Sequence, residues 1–465
     1  MKHFQSTLSN LPPLRSAMPG ISWPAIPDHI AANLLALLAQ LEDSQWWQPE
    51  QLMQKQLEQF GLLTTHARQQ SAFFRDRFGK AGLNAEQSWT MESFSRIPLL
   101  SRAELMQQAA QINCRVLPRE HGGVHKVQSS GSTGQMISVL RTGATRLFWL
   151  ALAMREHLWH QRDFSATLAI IKAMTPTQDD PVKAARIGWG QPANLLLDTG
   201  PSYSQPLAMD VRQQAAWLAR INPKYLLTYP SNLSALLDLY ERGTAVPPAL
   251  RQVRTVGETL HPGLRERCQR LGGIEIVDMY SAQEVGLIAL QCPVSGLYHI
   301  QSESLVVEVL NDEGNQCEPG EIGRVVITDL HNFATPLIRY EIRDYAEVGP
   351  VCPCGRGLPT LARIMGRRRN MVTLPDGRKY WPLVGAYHYR DIADIRQYQV
   401  VQHSLHDVEV RLVTPEKINA TQEARLAKLV QAAIGHPFPL RFSYFKQELP
   451  GTQGGKFEEF ISLVG

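Results

Sequence analysis

Val127-Gln128-Ser129-Ser130-Gly131-Ser132-Thr133-Gly134-Gln135 follows a strand-like run with six consecutive small or hydroxylated residues. Gly131 and Gly134 permit positive φ and close backbone approach, so successive N–H groups can converge on an anion. Ser129, Ser130, Ser132 and Thr133 add hydroxyl donors, and the loop reads as a phosphate grip. Composition alone also fits a plain Gly/Ser turn. A Walker loop needs lysine after its last glycine, where Gln135 stands, and the G-x-G-x-x-G dinucleotide pattern is absent.

Outward from this loop the periodicity is that of an α/β protein. Residues 30–42 and 51–77 carry apolar positions at helical spacing. Ser101 and Glu104 form a capping box that opens another helix. Residues 146–159 predict a buried helix, with Phe148, Trp149 and Trp159 expected in the core. Strand-like segments at 168–172, 195–197, 225–228, 253–256 and 274–279 then alternate with helices, among them 232–242 behind Pro230 and 263–271 behind Pro262. From Leu305 the pattern turns to short β segments with Gly-rich turns. A boundary falls near Gly366, and residues 398–445 predict a β-β-α-β module. The expected division is 1–366, containing a helical leader at 1–120 and a β subdomain at 304–366, followed by a smaller C-terminal domain at 367–465.

At 465 residues the chain is long enough for two or three domains. A net charge of +4, with both signs interspersed, gives no footprint for nucleic acid or an anionic membrane, so small-molecule partners are expected. No apolar run approaches the ~20 residues of a membrane span, and residues 1–27 lack the apolar core of a secretory signal. Six cysteines are too sparse for a disulfide scaffold and predict a reducing, cytoplasmic setting.

Further motifs follow in order: Val256-Gly257-Glu258-Thr259-Leu260, Asp278-Met279-Tyr280-Ser281-Ala282-Gln283-Glu284, Arg339-Tyr340-Glu341-Ile342-Arg343-Asp344, Gly366-Arg367, and Leu449-Pro450-Gly451-Thr452-Gln453-Gly454-Gly455-Lys456. Together with the Ser/Gly loop, this ordered series resembles the adenylate-forming (acyl-CoA synthetase) superfamily, in its phenylacetate-CoA ligase-like branch. The resemblance implies a large N-terminal α/β domain with a small β subdomain, and a mobile C-terminal α+β lid carrying the catalytic lysine. It implies ATP and Mg²⁺ as cofactors and a carboxylic acid as substrate.

The chemistry accounts for the residue types. A carboxylate attacking the α-phosphate of ATP brings two anions together, so the site must supply cations and donors. The resemblance makes Lys456 the bridge between carboxylate and α-phosphate; by spacing alone it is a solvated lysine in a Gly-rich segment. Glu284 is a hard oxygen ligand for Mg²⁺. Asp344 can accept both ribose hydroxyls, or pair with Arg343. Arg367 offers a fork to phosphate or ribose, Thr133 and Ser132 face the outer phosphates, and Gly257, Glu258, Tyr280 and Ser281 lie on the adenine side. Departures are Gln135 and Met136 after the loop, Ser281 for the usual glycine, and Arg369 at the hinge.

Cys292, His299, Cys352 and Cys354 offer three thiolates and an imidazole, a full tetrahedral shell with no open position. C-x-C is tighter than the usual two-residue knuckle, so spacing leaves zinc and free thiols open. The resemblance implies a structural Zn²⁺.

The expected reaction is activation of an aryl or medium apolar acid to an acyl adenylate with release of pyrophosphate. The acyl group then passes to coenzyme A or a separate carrier protein's phosphopantetheine, since no carrier segment follows Lys456. Capture of the adenylate by an amine, or a non-catalytic nucleotide-binding role, are the alternatives. A homodimer is compatible with the resemblance.

Overall fold

The computed structural model describes residues 11–83, 88–128, 137–173, 188–367, 371–380, 382, 389, 392–447, 449 and 457–464. Six helices come first: α1 (His29–Ser44), α2 (Pro49–Gln70), α3 (Ala72–Lys80), α4 (Met91–Ser95), α5 (Arg102–Gln107) and α6 (Ala109–Ile112). Asp28 caps α1 by accepting from the Ala31 N–H at 2.8 Å, and Leu34, Leu38 and Leu41 give it one buried face. The single helix expected over 51–77 is two, because Ser71 turns extended and caps α3 with its hydroxyl. The capping box at Ser101 and Glu104 forms as the spacing predicts.

Strands β1 (His125–Gln128) and β2 (Ser138–Arg141) pair antiparallel, with Gln128 opposite Ser138, and lead into α7 (Gly143–Trp159). The body of the fold is an eleven-stranded sheet. Its parallel half contains β3 (Leu168–Lys172), β4 (Ser202–Pro206), β5 (Tyr225–Thr228), β6 (Gln252–Val256) and β7 (Glu275–Ala282). Helices α8 (Ala193–Leu196), α9 (Val211–Ile221), α10 (Pro230–Glu241) and α11 (Pro262–Arg270) connect these strands. Of the strand expected at 195–197, Leu195 and Leu196 instead end α8 and Leu197 forms only an isolated bridge with Leu14, while the sheet edge is taken by β4.

The antiparallel half runs through β8 (Gly286–Gln291), β9 (Tyr298–Ile300), β10 (Leu305–Leu310), β11 (Ile322–Asp329), β12 (Tyr340–Val348) and β13 (Thr360–Arg367). The order is β10-β11-β12-β13-β9-β8-β7-β6-β5-β3-β4. The strands of the β subdomain expected from 304 join the main sheet through the pairing of β13 with β9. Apolar side chains of α1 and α7 cover one face of the parallel half, and those of α9, α10 and α11 the other.

The C-terminal domain holds a two-stranded ribbon, β14 (Val372–Thr373) with β15 (Lys379–Tyr380). Its main sheet comprises β16 (Gln397–Gln402), β17 (Val408–Val413), β18 (Leu440–Phe445) and β19 (Phe460–Ser462), in the order β18-β17-β16-β19. α12 (Ala420–Ala433) packs on it through Leu426 and Val430, in a core of its own. No helix of the described residues is long and apolar enough to cross a membrane.

Candidate functional site

Open parallel sheets bind ligands at the carboxyl ends of their strands, and the expected nucleotide-side residues gather there. Gly257, at φ +82°, turns the chain just beyond β6. Tyr280 and Ser281 end β7, and Glu284 occupies the tight turn into β8. Across the sheet, Asp344 on β12 stands opposite Arg367 on β13.

Chain segments distant in sequence meet at Asp344. The Tyr280 hydroxyl donates to Asp344 Oδ2 at 2.9 Å, and Arg367 Nε lies 3.8 Å from Oδ1. Burial, then the Asp344 charge, pushes the Tyr280 phenol well above its usual range, so it remains a donor. Gly366 is required here, since a Cβ on it would sit 2.9 Å from Thr259 Oγ1 and its φ is +85°. The β13 terminus thus closes against the segment beyond β6.

Glu284 is 6 % exposed, with Arg102 Nη1 of α5 at 3.5 Å from Oε1. A single carboxylate this loosely held fits a Mg²⁺ ion that draws its other ligands from phosphate and water. Arg102 was not foreseen; nothing local links it to a residue 182 positions away.

Glu258 faces two ways. Its Oε2 accepts from the Ser231 N–H at the start of α10 at 2.9 Å, and its Oε1 accepts from the Phe457 N–H of the C-terminal domain at 3.3 Å. Close by, His261 Nε2 lies 3.3 Å from Glu459 Oε2. Burial opposes charge on that imidazole, but the carboxylates of Glu459 and Glu258 outweigh it and raise the pKa. The two domains therefore meet at Glu258 and His261. Ser129, Ser130, Gly131, Ser132, Thr133, Gly134, Gln135, Met136, Arg369 and Lys456 lie outside the described residues.

The sulfur and imidazole ligands do converge. Cys292 ends the β8 side of one turn, His299 lies on β9, and Cys352 and Cys354 come from the β12–β13 connection; all four ligand atoms lie within 4.8 Å of one another. Cys352 and Cys292 sulfurs are 3.7 Å apart, close to the ~3.8 Å edge of a tetrahedron with ~2.3 Å Zn–S bonds. His299 Nδ1 lies 3.1 Å from the Leu358 carbonyl, which fixes the proton there and leaves Nε2, 3.3 Å from Cys354 Sγ, free to ligate. A hydrogen bond from Cys354 draws the Cys292 thiol well below its usual range despite burial. The set fits a structural zinc ion.

No family model matches the chain. The phenylacetate-coenzyme A ligase of Pseudomonas putida is 23 % identical over 338 residues, spanning 70 % of this chain and 72 % of that protein. The Thermus thermophilus phenylacetate-coenzyme A ligase is 22 % identical over 455 residues, spanning 89 % and 97 %. Among solved structures, 2-hydroxyisobutyryl-CoA ligase in its postadenylation state shares the fold at a TM-score of 0.68 and 17 % identity, over 88 % of each chain.

Proposed function

We propose that this chain, which is similar to phenylacetate-coenzyme A ligases and shares the fold of an acyl-CoA ligase, activates a carboxylic acid with ATP and transfers the acyl group to a thiol, coenzyme A or a carrier-protein phosphopantetheine. The carboxylate oxygen bonds to the α-phosphorus as the bond to pyrophosphate breaks. The thiol sulfur then bonds to the acyl carbon as the bond to AMP breaks, releasing the thiol proton to solvent.

One observation carries this reading: Phe457, the residue after Lys456, donates its N–H to Glu258 at the carboxyl edge of the parallel strands. Phe457 is thereby anchored where the nucleotide-side residues converge. Asp344, oriented by Tyr280 and Arg367, takes the ribose hydroxyls. Glu284 holds Mg²⁺, which supplies charge neutralisation on the phosphates. Ser129, Ser130, Gly131, Ser132, Thr133 and Gly134 cradle the phosphates, and Lys456 spans carboxylate and α-phosphate as charge develops. Cys292, His299, Cys352 and Cys354 hold zinc as a staple at the β9–β13 junction.

Lys456→Ala tests this assignment. Adenylate formation is expected to fall by about 10²–10³-fold, the loss of one charge-stabilising donor, while thioester formation from supplied acyl adenylate persists. Equal loss of both half-reactions would overturn the lysine's role.

A further inference from the structure

A second polar cluster lies beside the Glu284 turn. The N-terminal half of α7, capped by Thr142, forms one wall of a narrow cleft with β2, the start of β8 and the end of β11. Phe148 and Trp149, expected in the core, line this cleft instead, and Trp149 is 40 % exposed. Phe148 stacks on His331 with ring centroids 3.7 Å apart at 16°.

The polar groups here are incompletely paired. Asp329 is 2 % exposed; its Oδ1 accepts from the His331 N–H at 3.1 Å, but its Oδ2 is buried with no hydrogen-bond partner. His331 Nδ1 is likewise buried and unpartnered. Burial pulls the His331 pKa down to about 4, so the ring is neutral near pH 7. Burial also pushes the Asp329 carboxyl above its usual range, against the opposing charge of Arg141. Arg141 lines the same cleft, its Nη2 reaching the Val285 carbonyl at 3.4 Å. Leaving a buried acceptor unmatched costs stability, and a donor arriving in the cleft would recover that cost.

We propose that this cleft is the subsite for a hydrogen-bond-donating substituent, a hydroxyl or amine, on the acid substrate. The inference rests on the carboxylate-activating reading and narrows its substrate class away from purely apolar acids. Val285 and Gly286 line the cleft and follow Glu284 directly, so the cleft adjoins the Glu284 turn. A donor on the substrate gives Asp329 the partner its Oδ2 lacks, while Phe148 and Trp149 flank the carbon skeleton. An acid without the donor leaves that oxygen buried and unmatched, the arrangement that gives the steepest discrimination.

The test is carboxylate-dependent pyrophosphate release with pairs of acids sharing a skeleton, one bearing a hydroxyl or amino group and one without. The wild type should favour the donor-bearing member by about a hundredfold or more in kcat/KM. Asp329→Asn, which keeps the shape and the Oδ1 contact but turns the free acceptor into a donor, should erase that preference through KM. Its melting temperature should be unchanged or higher, where a purely structural aspartate would leave it lower. His331→Phe should reduce the preference by a smaller factor. Release that is equally efficient with both members in wild type and Asp329→Asn would overturn the subsite while leaving acid activation intact. No release with any acid would take down both readings.

Discussion

The two ends of α7 handle buried charge in opposite ways. Near its C-terminal end Glu156 is fully enclosed and both oxygens are taken: Arg162 donates Nη2 to Oε1 and Nη1 to Oε2, each at 2.6 Å, and Arg254 donates to Oε2 at 2.6 Å. Burial alone would raise the Glu156 pKa, but the two guanidinium charges hold it well below the usual carboxylate range. Near the N-terminal end Asp329 keeps an oxygen with no partner. At Glu156 both carboxylate oxygens are matched within the fold; at Asp329 one is left for the group that the proposed subsite would receive.

The largest effect comes from opening the closed end. Glu156→Gln leaves Arg162 and Arg254 buried without a counter-charge and should cost about 3–5 kcal/mol, read as a lower denaturant midpoint. Its folded pKa is depressed, so the wild-type advantage is full above the unfolded value of about 4.3 and shrinks as pH falls through the folded value. An advantage that persists undiminished in acid would break the comparison.

The cysteine cluster is an intermediate case, four ligand atoms within 4.8 Å of one another that the proposed zinc ion would close. Cys352→Ser should bind no stoichiometric zinc and lose about 3 kcal/mol, the linkage value for an ion present at a few hundred times its Kd. Full stability with no zinc in the wild type would show that the thiols suffice. At the open end, Asp329→Asn should change stability least, within about 0.5 kcal/mol.

Much of this was legible in the sequence. The capping box at Ser101, the helix over 146–159 and the parallel strands ending near Thr228 and Val256 follow from periodicity and punctuation. β4 escaped because Ser202-Tyr203-Ser204-Gln205-Pro206 is a polar edge strand whose pairing with β3 has no apolar alternation to announce it. The break at Ser71 escaped because a serine within a helical run is equally a surface residue or a cap. Asp344, Tyr280 and Glu284 were singled out through ordered motifs. Arg102 and the Phe457 N–H were not, because pairing across 182 and 199 residues leaves no local pattern. Phe148 and Trp149 misled because an aromatic helical stripe reads the same whether it faces core or cleft.

Isotope exchange between labelled pyrophosphate and ATP tests acid activation most directly, since it reads the first half-reaction without any acceptor thiol. Exchange that requires an added carboxylic acid and Mg²⁺ is the expected result. Exchange that is absent across aryl and alkyl acids, with and without hydroxyl or amino substituents, would contradict it.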